Sequence, residues 1–144
     1  MKGTIVAVCT SEKKGMRKTN VGQAQIKVNW GLVGDAHAGN WHRQISLLAL
    51  ESIEKMRAAG LHVGPGDFAE NLTVQGLGFL NDYPVGTRFR IGETEVELTQ
   101  IGKLCHSKCA IYELAGDCVM PREGVFVKVV KEGIVKVGDE IVVI

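Results

Sequence analysis

Eighteen glycines against only three prolines in 144 residues narrow what this chain can fold into more than any other feature. An interior glycine costs a helix on the order of 1 kcal/mol relative to alanine, so glycines spread along the whole length argue against a helix bundle. Tight turns between strands, by contrast, use glycine at little steric cost. The pattern therefore favours many short strands joined by turns, with few helices.

Read along the chain, Gly3 to Thr10 (GTIVAVCT) is rich in β-branched residues and predicts a first strand, followed by a polar, basic loop from Ser11 to Asn20. Gln23 to Val28 alternates polar and apolar residues. From Gly31 to Gln44 (GLVGDAHAGNWHRQ) no hydrophobic period survives, which predicts a long irregular loop of the kind that carries function. Its glycines would let backbone approach a ligand, and Trp30 and Trp41 argue against disorder. Ser46 to Ala59 (SLLALESIEKMRAA) spaces Leu47, Leu50, Ile53 and Met56 by three, predicting the main helix, with Leu48 an alternative start and Gly60 as its stop.

Beyond the helix come a turn at Pro65 to Asp67, a short strand around Leu72 to Val74, and a hairpin of Thr87 to Ile91 and Thr94 to Gln100 around Gly92. His106 to Ala115 admits a second, short helix. Gly124 to Val130 and Glu140 to Ile144 read as strands joined by the turn signals EGIVKVGD, and an echo between Val85–Gly92 and Val135–Ile144 is too short for a repeat. No linker divides the chain, so residues 1–144 are expected to form one mainly β domain. Its architecture is a barrel-like antiparallel sheet with one main peripheral helix.

Composition removes several functional classes. Seventeen Lys and Arg against sixteen Asp and Glu leave a formal charge of +1, so no bulk electrostatic signal points to nucleic acid or an anionic membrane. No apolar run approaches the roughly 18 residues of a spanning helix, and MKGTIVAVCT lacks the pattern of a secretory signal. The expected location is the cytoplasm, where four cysteines set thiol or metal chemistry against two disulfides; Cys9, inside the first strand, reads as a small buried hydrophobe, a role also open to Cys109 and Cys118.

Three clusters could carry chemistry. Cys105, His106, Cys109 and Cys118 crowd into LCHSKCAIYELAGDC, where Lys103 and Lys108 favour a thiolate and the C-x3-C spacing suits one face of a helix; the same four residues could also hold zinc in an interaction domain. The second cluster, GDAHAGNWHRQ, offers Asp35, His37, His42, Arg43 and Gln44, and Arg43 beside glycine-exposed amides suits a phosphate. The plainer alternatives are a turn at Asp35, a surface role for His42 and a carboxylate partner for Arg43. In the third, PGDFAENLTV, Glu70 and Asn71 stand beside a turn whose amides they could tie down. Arg122 adds a cation near the cysteines, with Glu123 or Asp117 as an alternative salt-bridge partner.

The order GLVGDAHAG, RQISLLA, PGDFAENLTV, GKLC, PREGVFVKV and IVKVGDEIVVI resembles the MOSC domain, the C-terminal domain of molybdenum cofactor sulfurases, which also occurs in small stand-alone prokaryotic proteins. The resemblance runs from Gly31 to Ile144. It implies a β-barrel like that of the pyruvate kinase β-barrel domain, and a role in binding molybdenum cofactor (molybdopterin) or moving sulfur. The family's Gly-Asp-x-His element falls on Gly34, Asp35 and His37, its Arg-Gln pair on Arg43 and Gln44, and its Glu-Asn-Leu element on Glu70, Asn71 and Leu72. Its functional cysteine, a molybdenum ligand or persulfide carrier, best matches Cys105. The chain departs from the family in carrying Ala69 where a glycine commonly precedes the glutamate, and in lacking a proline before Cys105. A chain of 144 residues leaves no room for a pyridoxal phosphate domain as well. Sulfur would then arrive from a separate cysteine desulfurase, with a molybdopterin biosynthesis protein as a further partner. A carrier that binds cofactor without catalysis is the alternative.

Overall fold

The computed structural model describes residues 1–102 and 120–144. Among these residues the strands are β1 (Lys2–Thr10), β2 (Thr19–Asn20), β3 (Gln23–Lys27), β4 (Gly31–Leu32), β5 (Ile45–Ala49), β6 (Leu72–Gln75), β7 (Arg88–Ile91), β8 (Thr94–Ile101), β9 (Val125–Lys131), β10 (Gly133–Lys136) and β11 (Glu140–Val143). The helices are α1 (Leu50–Ala58) and the single turn α2 (Met120–Glu123), with a 3-10 turn at Leu80–Asp82. The strand order β11-β7-β8-β9-β5-β6-β1 closes through a β11–β1 pairing into a seven-stranded barrel. Closure leaves no exposed edge within the ring, which is how a small all-β domain avoids edge-to-edge association. All ring pairings are antiparallel except β5 with β6. The two segments that echo each other in sequence prove to be neighbours, with Ile91 opposite Ile141 and Phe89 opposite Val143.

The barrel is filled by inward side chains from every wall, among them Ile5, Leu47, Leu72, Phe89, Val127 and Ile141, all fully buried. A second apolar layer lies outside the wall, where α1 covers β5: Leu48, Ile53, Met56, Phe68, Met120 and Phe126 pack there. This layering corrects the expected helix. The stretch from Ser46 to Ala49 is strand, because Leu47 and Ala49 face the barrel while Leu48 faces the helix. A strand buried on both faces reads as a continuous apolar run, which periodicity alone does not separate from a helix. The predicted stop is correct: Gly60 has φ +98°, and its N–H closes on the Arg57 carbonyl at 3.0 Å.

Two further expectations change. The segment EGIVKVGD holds β10, which pairs with β3 at Val135 and Ala24. The Ser11–Asn20 loop contains the short strand β2, and its Lys18 is buried. The second helix expected over His106–Ala115 lies outside the described residues.

Ala69 adopts φ +63°, a left-handed conformation that costs an L-residue roughly 1–2 kcal/mol and glycine almost nothing. The glycine common at this position in the resembled family thus has a conformational reason. Ala69→Gly is expected to stabilise the protein by up to about 1 kcal/mol once the looser unfolded chain is counted. Thermal unfolding should show a midpoint a few degrees higher; an unchanged or lower midpoint would mean that the packing of the alanine methyl outweighs the strain.

Candidate functional site

The irregular segment between β4 and β5 is cinched at its base. A Cβ at Gly31, which has φ +109°, would come within 2.7 Å of the Gln44 carbonyl oxygen, so only glycine lets the two ends touch. This close approach is between backbone and backbone, and not between backbone and ligand as expected for that glycine. Gln44 turns into the barrel wall, where its Oε1 accepts the Val129 N–H at 2.9 Å. At Gly34, φ is +89° and no atom lies within 4 Å of the Cβ position. That residue borders a cleft of about 660 Å³ shared with Ser11, Lys13 and Arg17.

Asp35 is the buried keystone of the loop. One carboxylate oxygen accepts the Lys18 ammonium at 2.7 Å and the Ser11 N–H at 3.1 Å, and the other accepts the His37 N–H at 3.0 Å. Burial alone would raise the pKa of this carboxyl, yet the Lys18 ammonium holds it below the usual carboxylate range.

Above it stands an aromatic and cationic cluster. The His37 ring lies parallel to Trp41 at 6.2 Å between centroids, and the Trp41 indole N–H donates to the His37 carbonyl at 3.0 Å. The Arg43 guanidinium sits 4.5 Å from the Trp41 centroid and 5.5 Å from that of Phe126, while the Lys14 ammonium sits 5.0 Å from Trp41. Among the described residues Arg43 meets no carboxylate, and its buried Nε has no hydrogen-bond partner. Among the described residues its contacts are cation–π rather than a salt bridge. His42 meets the Trp41 ring edge-on at 6.1 Å between centroids, and its Nε2 lies 2.7 Å from the Gln100 side-chain oxygen.

Glu70 and Asn71 form a buried floor. The Asn71 side chain accepts the Ser46 N–H at 2.9 Å and donates to the Cys9 carbonyl at 3.0 Å, tying β5 to β1. Glu70 is fully buried and accepts the Thr73 hydroxyl at 2.7 Å. Burial pushes its carboxyl up to about 7, against the opposing pull of the backbone amides of Gly66, Phe68 and Glu70 and of Thr73. Burial likewise pushes the Cys9 thiol up to about 12, with Glu70 adding to the shift. Cys9 is therefore an inert core residue, as its position within a strand suggested.

Of the expected site residues, the structure brings Gly34, Asp35, His37, Arg43 and Gln44 into one loop, with Glu70 and Asn71 beneath it. Arg122 borders a different cleft of about 300 Å³ with Lys55 and Phe79. Its neighbour Glu123 pairs with Lys55 and accepts the Ser52 hydroxyl. Cys105, Cys109, Cys118 and His106 lie outside the described residues. No group of three or more His, Cys, Asp or Glu that could hold a metal occurs among the described residues. Sequence reasoning missed Lys14, Lys18 and Phe126 as members of the site. The basic run SEKKGMRK was the available signal for the lysines, whereas Phe126 is brought in only by barrel closure.

No described helix is long and apolar enough to cross a membrane. The model of the MOSC domain family matches residues 34–142. Among solved structures, the YUAD protein from Bacillus subtilis aligns with 18% identity over 98% of this chain and 94% of its own, at a TM-score of 0.81. YiiM from Geobacillus stearothermophilus aligns with 19% identity over 99% of this chain and 75% of its own, at 0.72. YiiM from Escherichia coli shows 20% identity over 100% and 70%, at 0.70. No curated protein matches the sequence.

Proposed function

Because the chain belongs to the MOSC domain family, we propose that it binds molybdenum cofactor at the Gly34–Gln44 loop and handles sulfur or molybdenum through Cys105. The observation that carries this reading is Arg43: a guanidinium fixed between two aromatic rings, with no carboxylate partner among the described residues. A cation held in place and, among the described residues, without a counter-ion is preorganised for an external anion, and molybdenum cofactor carries a phosphate. The residues present fit that group. Arg43 would take the phosphate, His37 and the amides near Gly34 would meet the polar edge of the pterin, and a cysteine thiolate would suit the soft metal. Bound there, the cofactor would supply a molybdenum centre able to accept a thiolate ligand.

The remaining expected residues build the site. Asp35 and Gln44 set the path of the loop, while Glu70 and Asn71 hold the floor beneath it. Gly102 donates its N–H to the Gly124 carbonyl at 2.7 Å, and Gln100 bonds both His42 and the Gly102 carbonyl. Gly102 is thus tied through Gln100 to His42, in the loop that carries Arg43. On this reading Arg122 approaches from the α2 side, and a separate cysteine desulfurase in the cytoplasm supplies sulfur.

Arg43→Ala is expected to weaken binding of isolated cofactor about tenfold or more, as the loss of a charge-assisted hydrogen bond implies. The melting temperature should fall by only a few degrees, since about 1 kcal/mol of cation–π contact is lost. Equal binding by the variant would return Arg43 to a purely structural role. Cys105→Ser should abolish persulfide formation or thiolate ligation of the metal; if both persist, the role of Cys105 is withdrawn. Turnover with a persulfide donor or an N-hydroxylated substrate would separate an enzyme from a carrier.

A further inference from the structure

The Ser11–Lys18 loop is anchored more deeply than its sequence suggests. The Lys18 ammonium and the Asp35 carboxylate meet at 2.7 Å with both side chains wholly buried. The same ammonium donates to the Ser11 hydroxyl at 2.9 Å, and the Ala36 N–H donates to the Ser11 carbonyl at 3.0 Å. The Lys18 N–H donates to the Gly66 carbonyl at 2.8 Å. Between these anchors Glu12, Lys13, Lys14 and Met16 are exposed, and Lys14 reaches the Trp41 ring that Arg43 also covers.

A buried ion pair is a poor device for stability alone, because desolvating two charges offsets most of their attraction; its best attested use is to fix registry. Here it joins two surface loops distant in sequence. We propose that the Lys18–Asp35 pair is a latch that docks the Ser11–Lys18 loop onto the Gly34–Arg43 loop and so positions Lys14 beside Arg43 as a second cation of the site. Asp35 is then a positioning residue, and its carboxylate is not offered to the ligand. Both cations lie within 5.0 Å of the Trp41 centroid, and a ligand engaging both would be a dianionic phosphate ester or a pyrophosphate. The identity of the ligand rests on the cofactor-binding reading; the docking of the loop does not.

The test uses the full chain as wild type, Asp35→Asn, Lys14→Ala and the double variant Lys18→Met with Asp35→Asn. The double variant leaves no unpaired buried charge if Asp35→Asn alone fails to fold. Two quantities are followed: the rate of trypsin cleavage at Lys13, Lys14 and Arg17 under native conditions, and binding of pyrophosphate and of isolated molybdenum cofactor by tryptophan fluorescence. Breaking the latch should raise loop cleavage about tenfold and weaken binding about tenfold, with the barrel still folded. Lys14→Ala should weaken binding to a similar degree while cleavage at Arg17 stays at the wild-type rate. Wild-type cleavage in the double variant, or wild-type binding in Lys14→Ala, would overturn the latch. Cofactor binding that ignores Lys14 and Asp35 leaves the cofactor reading intact and removes the latch. Lys14-dependent binding of pyrophosphate without cofactor binding does the reverse, and binding of neither overturns the cofactor reading and the role of Lys14 as a second cation.

Discussion

Asn71→Ala is expected to lower the stability of the protein by about 3–5 kcal/mol, a large share of the roughly 5–15 kcal/mol that holds a domain of this kind together. Its side chain accepts both the N–H and the hydroxyl of Ser46, at 2.9 and 3.2 Å, and donates to the Cys9 carbonyl at 3.0 Å, all within the buried interior. Truncation would strand a buried N–H on β5 and a buried carbonyl on β1, each costing about 1–3 kcal/mol. In the intact protein these groups have no contact with solvent, since Cys9 and Asn71 are fully buried and Ser46 nearly so. Urea unfolding would measure the loss as a lower midpoint at unchanged slope. A loss below about 1 kcal/mol would mean that the floor repacks and that Asn71 is not the tie between β1 and β5.

The second large effect is a pH dependence centred on Glu70. Its carboxyl titrates near 7 in the folded protein, against an ordinary value of 4.5, so the native state prefers the protonated form. The stability gained from that preference is complete below about pH 4.5 and is lost as pH rises through 7. The groups that share its surroundings are Cys9 on β1, the Lys18–Asp35 pair and Asp67. Across this window the group should account for a fall of about 3 kcal/mol, at 1.36 kcal/mol per unit of pKa shift. Glu70→Gln keeps the shape and stays neutral, so it should equal wild type near pH 5, exceed it at pH 8, and flatten the profile between. Parallel profiles for the two proteins would show that Glu70 is ionised throughout.

Much of the fold was legible in the sequence, for reasons of local chemistry. Glycine at Gly60 and Gly92 marked true chain reversals, and the β-branched runs became the walls of the barrel. The errors had a common cause in long-range packing. Ser46–Ala49 looked helical because α1 buries the outer face of a strand whose inner face already lines the core. Residues 133–136 looked like a turn because their partner, β3, lies more than a hundred residues away. The site divided in the same way. Arg43 and the loop that carries it could be singled out by residue type and by the absence of a hydrophobic period. Asp35 was legible as a candidate and as a turn residue, and its carboxylate does accept the His37 N–H two residues on, but nothing in GDAH signals a buried lysine seventeen positions earlier. Lys14 and Phe126 join the cluster only through loop docking and barrel closure, which no local pattern encodes.

The central claim is that this barrel holds molybdenum cofactor, and the most direct measurement is the elemental and pterin content of the full chain purified without chelator. The account predicts molybdenum, or the bound pterin released on denaturation, at a level that falls in Arg43→Ala. Stoichiometric zinc with no pterin, unchanged in Arg43→Ala and lost when Cys105, Cys109 and Cys118 are replaced, would contradict it and identify a zinc-binding domain instead.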